Sequence, residues 1–236
     1  MIMSSFMLNG FQARYRELIL NSLSNLSLKT SASEESFLLA CRLYDELNVF
    51  GNEIKSGCGI RDLQIAEACL ILSAKFLDGD LSPFPESESY IHCECEGSIW
   101  STTSEQLFLD EYLILNALHW NLNQFCMPDI IGELANKTGL SADGYLARFA
   151  KNLERRAITD ARLFPLADQS NRWILAPAAF NTSLHEYGFL TPVRQQQCEQ
   201  VWSRYGLDPL LIRELQIILT QMLYQKDTEH FLTVFS

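Results

Sequence analysis

The sequence predicts an all-α protein made of two tandem five-helix domains, over residues 1–126 and 127–236. Three observations predict it. Apolar residues recur at helical spacing along most of the chain, while alternating strand patterns are scarce. Eleven Gly and seven Pro in 236 residues are too few for a many-turned sandwich or a disordered chain. A helix rich in small residues occurs twice: Ala66, Ala68 and Cys69 are echoed by Ala176, Ala178 and Ala179, about 110 residues later.

Each element has its own signal. Tyr15, Leu18, Ile19, Leu23 and Leu26 form one stripe of a first helix. Ser31 and Glu34 have the spacing of a capping box ahead of a second helix, which carries Phe37, Leu38, Cys41, Tyr44 and Leu47. The stretch Gly51–Gly59 breaks the pattern. Asp62 is the expected cap of a third helix, Leu63 to Leu77, whose middle, Ile65–Leu72, is apolar on most sides and so belongs at the centre of a bundle. A Pro-, Ser- and Gly-rich loop follows, with room for a short helix near Glu86–Cys93. Thr102 and Glu105 have capping-box spacing before a long helix through Leu107, Leu113, Leu115 and Leu118, and Pro128 closes the segment.

The second half repeats the plan, with helices expected over 128–137, 142–162, 171–187, 192–205 and 209–225. Ser141 is the candidate cap of the second of these, and Gly206 the terminator of the fourth. Pro177 either kinks the third or lies in its first turns.

Charge and cysteine content narrow the function classes. The formal net charge is −11, which disfavours direct binding to nucleic acid or to an anionic membrane surface. It is unevenly spread: residues 1–128 hold 17 acidic against 7 basic side chains, and residues 129–236 hold 12 against 11. An acidic first half can attract a basic partner surface, or can serve solubility alone. Seven Cys, with no secretory pattern in Met1–Phe11, fit a reducing intracellular compartment. Nowhere do 18 consecutive apolar residues occur, so no membrane span is expected.

Two segments carry more specific information. The buried third helix ends in Ser73-Ala-Lys-Phe76, and the later long helix reads Asp110-Glu-Tyr-Leu-Ile-Leu-Asn-Ala-Leu-His-Trp-Asn-Leu122. Together they resemble the cyclin box, in which the first segment reads like ASKFEE and the second carries a glutamate followed by spaced leucines and an aromatic. Lys75 falls on the motif lysine and Glu111 on the motif glutamate, with Leu115, Leu118, Trp120 and Leu122 at the expected offsets. Upstream, Tyr15-Arg-Glu-Leu-Ile-Leu20 resembles the family's MRAILV helix, with Arg16 on the motif arginine, and Asp45 matches the aspartate of its second helix. The resemblance covers residues 12 to about 225.

The resemblance implies a regulatory subunit that does no chemistry and needs no cofactor or metal. Its partner is a cyclin-dependent kinase, held by the kinase's regulatory helix. Lys75 and Glu111 would reach backbone groups of that helix, and Leu72, Phe76, Leu115 and Leu122 would line the apolar pocket around it. Arg16 and Asp45 would pair within the chain, since charges on otherwise apolar helices are seldom buried alone. The family resemblance implies a nuclear location; Asn152–Phe164 resembles cyclin H, which implies the kinase-activating assembly of the transcription factor TFIIH, with a third assembly subunit or transcription complex as further partner, while C- and K-type transcription cyclins and cell-cycle cyclins stay open as alternatives. Tyr15 and Ser22 depart from the family's RxL-docking patch, which in cell-cycle cyclins carries Met and often Trp there.

Other readings are weaker. His92-Cys-Glu-Cys95 can offer three metal ligands, but its spacing is atypical of structural zinc and no second pair stands nearby; a solvated loop is the simpler reading. Cys58 and Cys69 read as small apolar fillers. The four His, at 92, 119, 185 and 230, adjoin no nucleophile or phosphate-loop motif, so an enzyme is not expected. His119 falls in the long helix, and His185 falls where the repeat places the counterpart of Lys75. Adaptors similar to TFIIB share the two-repeat plan but are typically basic and often carry a zinc ribbon, whereas this chain is acidic and lacks paired C-x-x-C motifs.

Overall fold

The computed structural model describes residues 10–50, 59–79, 104–126, 128–160 and 173–234, and they are all-α. The chain divides into two compact units, Asn9–Met127 and Pro128–Ser236. In the first, α1 (Gly10–Lys29), α2 (Glu34–Phe50), α3 (Gly59–Leu77) and α4 (Ser104–Ala117) are followed by a 3-10 turn, Leu122–Phe125. In the second, α5 (Ile130–Lys137), α6 (Tyr145–Thr159), α7 (Leu175–Glu186), α8 (Pro192–Arg204) and α9 (Pro209–Val234) follow in order.

Each unit is organised around one enclosed helix. In α3 every residue from Ile65 to Ala74 is buried, and the helix packs against α1, α2 and α4. Its small residues, Ala66, Ala68, Cys69, Ser73 and Ala74, let three neighbours approach at once, while Leu70 and Leu72 fill the gaps. In α7 every residue from Leu175 to Leu184 is buried, against α5, α6, α8 and α9. Pro177 lies in the first turn of α7, where a backbone N–H would have no partner inside the helix, so the ring is accommodated there. Phe37, Leu20, Leu39 and Leu43 complete the first core; Trp202, Phe180, Ile130, Ile131 and Leu134 complete the second.

Helix ends differ from the sequence expectations in informative ways. Ser31 does not cap α2. It has φ 54° and lies just past the end of α1, where the Ala32 N–H reaches Ser27 C=O at 3.0 Å. The cap is Ser33, whose Oγ accepts the Ser36 N–H at 3.1 Å. Two serines stand two residues apart, and only the turn geometry separates a C-terminal exit from an N-terminal cap. Asp62 lies inside the first turn of α3, which begins at Gly59; it still complements the positive end of the helix dipole. Ser141 folds back onto the Asp143 N–H at 3.3 Å, and Gly144 precedes α6 without a side-chain cap. Gly206, at φ 65°, ends α8 as expected: its N–H meets Ser203 C=O and the Leu207 N–H meets Trp202 C=O, closing a Schellman motif. The long helix expected through Leu122 stops at Ala117. The short helix near Glu86–Cys93, the cap at Thr102, and Cys58, His92 and Cys95 lie outside the described residues.

Candidate functional site

Four side chains singled out in the sequence form two ion pairs within the first unit. Arg16, on α1, donates Nε to Asp45 Oδ1 at 2.7 Å and Nη2 to Oδ2 at 2.6 Å, so a planar guanidinium meets both carboxylate oxygens of α2. Arg16 is almost fully buried. Burial lowers its affinity for the proton, but the charge and hydrogen bonds of Asp45 outweigh that and hold the guanidinium above its ordinary pKa. The pair braces α1 against α2.

The second pair joins α3 to α4. Lys75, in the last turn of α3, places Nζ 2.6 Å from both Oε1 and Oε2 of Glu111. A cation at that end also complements the negative end of the helix dipole. The two partners differ in access: the Lys75 side chain is 37 % exposed and that of Glu111 11 %. The lysine therefore presents an N–H to solvent while the carboxylate is held from within. Beside it, the nearly buried Asp110 accepts from Gln106 Nε2 at 3.0 Å.

Around this pair α4 is turned differently from its leucine pattern. Asp110, Glu111, Ile114 and Leu118 face inward, whereas Leu113 is exposed and Leu107 and Leu115 are half-buried. Polar residues occupy part of the inner face, and large apolar ones occupy the outer face. Phe108, Leu109, Tyr112 and Leu113 stand in solvent, with Phe76 and Leu77 exposed at the end of α3. Of the six residues that the resemblance assigns to partner binding, Leu72 and Leu122 are buried, Leu115 is half-buried and Phe76 is exposed. Sequence reading passed over Phe108, Leu109 and Tyr112. Their signal was present: three large apolar side chains directly flank two acidic residues that pack inward.

The chain leaves α4 through an unusual turn. His119 and Trp120 both have positive φ, 51° and 60°. The Trp120 N–H reaches Leu115 C=O at 2.8 Å and the His119 N–H reaches Asn116 C=O at 3.1 Å, the Schellman pattern with histidine where glycine is usual. His119 thus lies past the helix rather than in it. The Trp120 indole N–H donates to Asn116 Oδ1 at 3.0 Å, and its ring meets Tyr112 edge-on with centroids 6.2 Å apart. Two consecutive left-handed non-glycine residues carry strain, and here they hold an indole that is 61 % exposed next to Tyr112.

In the second unit the end of α7 is built differently. His185 Nδ1 lies 3.3 Å from Glu186 Oε1, and Glu186 Oε2 accepts from the Tyr224 hydroxyl of α9 at 2.7 Å. No cation bridges two helices there as Lys75 does. Among the described residues no group of three or more His, Cys, Asp or Glu side chains is placed to hold a metal ion. No helix among them is long and apolar enough to cross a membrane.

No protein-family model and no curated protein matches this sequence. Among solved structures, the chain is similar to a viral cyclin from herpesvirus saimiri, with a TM-score of 0.67 and 18 % identity, over 88 % of this chain and 85 % of that one. The likeness establishes the fold: the chain has the all-α cyclin fold.

Proposed function

We propose that this cyclin-fold chain is the non-catalytic regulatory subunit of a cyclin-dependent protein kinase, which it grips through α3 and α4. The observation that carries the reading is the Lys75–Glu111 pair set at the edge of an exposed apolar surface. An amphipathic helix docks on such a surface by burying a few large anchors, here offered by Phe76, Phe108, Tyr112, Leu113 and Trp120. Lys75 and Glu111 supply a donor and an acceptor for that helix's end groups or polar side chains. Held against each other, they lose little freedom on binding.

The mechanism is a population shift. An active kinase needs its strand lysine paired with the glutamate of its mobile helix and its activation loop ordered. A subunit that binds only the helix-in state stabilises that state by its differential affinity, and contributes no catalytic group. The likeness of Asn152–Phe164 to cyclin H favours a transcription-associated kinase, the activating kinase of TFIIH, with a third assembly subunit and a nuclear location.

The test is recovery from native extract, with wild type compared with the Lys75→Ala/Glu111→Ala variant. A Ser/Thr kinase bound and active with wild type, and lost with a variant of unchanged thermal melt, is the expected result. Its identity decides between transcription and the cell cycle. Recovery of polymerase or scaffold subunits without a kinase overturns the proposal in favour of an adaptor.

A further inference from the structure

The sequence contains Thr191-Pro192-Val193-Arg194, and the fold displays it. Thr191, Pro192 and Val193 are exposed at the start of α8. Thr191 is the N-cap of α8, with extended backbone (φ −104°, ψ 159°) and its Oγ1 accepting the Arg194 N–H at 3.3 Å. Pro192 is the first helical residue. Arg194 stays close to the cap: Nη1 donates to Phe189 C=O at 3.1 Å and Nε to Thr138 C=O at 3.3 Å, with the guanidinium 5.5 Å from the Phe189 ring centroid.

We propose that Thr191 is a phosphorylation site for a proline-directed Ser/Thr protein kinase. Proline has no N–H, so a kinase pocket that offers the residue after the acceptor no hydrogen-bond partner penalises every residue but proline. Arg194 adds a cation at a fixed offset, a handle for an acidic kinase surface. The sequence holds one other hydroxyl residue before proline, Ser82, and it is followed by Phe84 and Pro85 with no cation at that offset.

Thr191 itself already has the extended backbone that a kinase cleft requires. Only the cap and the first turn of α8 must open, and first turns fray readily. In the step itself, the terminal phosphorus of magnesium-bound ATP forms a bond to Thr191 Oγ1. Its bond to the bridging oxygen breaks, ADP leaves with that electron pair, and the hydroxyl proton passes to the kinase's catalytic aspartate. The product suits its position. A phosphate of about −1.5 to −2 charge then stands at the positive end of α8, beside the Arg194 N–H that the hydroxyl already accepts and within one turn of the Arg194 side chain. It is a stronger cap than the hydroxyl, and α8 becomes harder to open.

This proposal does not require the chain to bind or activate a kinase of its own. The test therefore uses an already active proline-directed kinase with magnesium-ATP on the folded full chain, followed by site-localised mass spectrometry. Phosphate is expected on Thr191 in wild type and in Ser82→Ala. It should be lost in Thr191→Val and reduced at least tenfold in Pro192→Ala, with a higher Tm for the phosphorylated protein. Absence of phosphate on Thr191 of the folded chain overturns the proposal, as does undiminished modification of Pro192→Ala. A free peptide spanning residues 188–197, run in parallel, then tells whether the fold or the motif is at fault.

Discussion

The two units leave their helices by different means. In the first, among the described residues, α1 exits through Ser31 and α4 through His119 and Trp120, all left-handed non-glycine residues, while α3 exits through a glycine, Gly79. In the second, the described left-handed exits after α5, α7 and α8 are all glycines: Gly139, Gly188 and Gly206. A Cβ in that conformation costs about 1–2 kcal/mol. The second unit avoids the cost and the first carries it, most heavily at the turn that displays Trp120 beside Tyr112. Their polar ends differ too. At the end of its enclosed helix the first unit pairs a lysine with a carboxylate of the next helix, whereas the second pairs Glu186 with the Tyr224 hydroxyl.

That contrast can be broken in four places. The largest effect is expected at Asp45→Ala, which strands the buried Arg16 charge and should cost about 3–5 kcal/mol in denaturant unfolding. Replacing the pair with Met at 16 and Leu at 45 should recover most of it. Next, Lys75→Ala/Glu111→Ala should weaken partner binding by about 2–4 kcal/mol, measured by calorimetry with the recovered kinase. His185→Ala, at the equivalent end of α7, should leave that affinity unchanged. An equal loss in both would remove the functional distinction between the units.

Trp120→Ala should lower partner affinity by about 1–2 kcal/mol while the thermal melt barely moves, because the indole is already in solvent. A fall in Tm with no change in affinity would make Trp120 a structural residue only. The smallest pair concerns the exits. Gly188→Ala should cost about 1–2 kcal/mol purely through the backbone, since no atom lies within 4 Å of the added Cβ. His119→Gly should gain about 0.5 kcal/mol, the relief of strain being partly offset by the freer unfolded chain.

The thiols follow burial in both units alike. Cys198 is pushed up to about 12, mainly by burial and secondarily by Glu199, and burial holds Cys69 well above its ordinary range. At pH 8 both should resist alkylation in the folded chain and react once it is denatured. Half-buried Cys126 should react first among the described cysteines.

Much of this was legible in the sequence because helices advertise themselves by period. The two small-residue segments identified the enclosed helices, α3 and α7, since only small side chains allow neighbours on every side. Arg16, Asp45, Lys75 and Glu111 stood out as charges on apolar helices, and the fold joins them two by two. The cap of α2 and the inward face of α4 were misread for one reason. A serine or a leucine carries the same local signal whether it faces a turn, a core or solvent.

By itself, then, the sequence determined the helical class and the duplicated plan, because these depend on composition and on spacing along one helix, while the four charged positions were singled out by the resemblance of their segments to the cyclin box. Tertiary structure alone decided that Asp110 and Glu111 turn inward while Phe108, Leu109 and Tyr112 turn outward, and that α4 ends at Ala117 in a strained turn. A helix's rotation about its own axis is set by the neighbours it packs against. For α4 that neighbour is the end of α3, where Lys75 waits for a carboxylate.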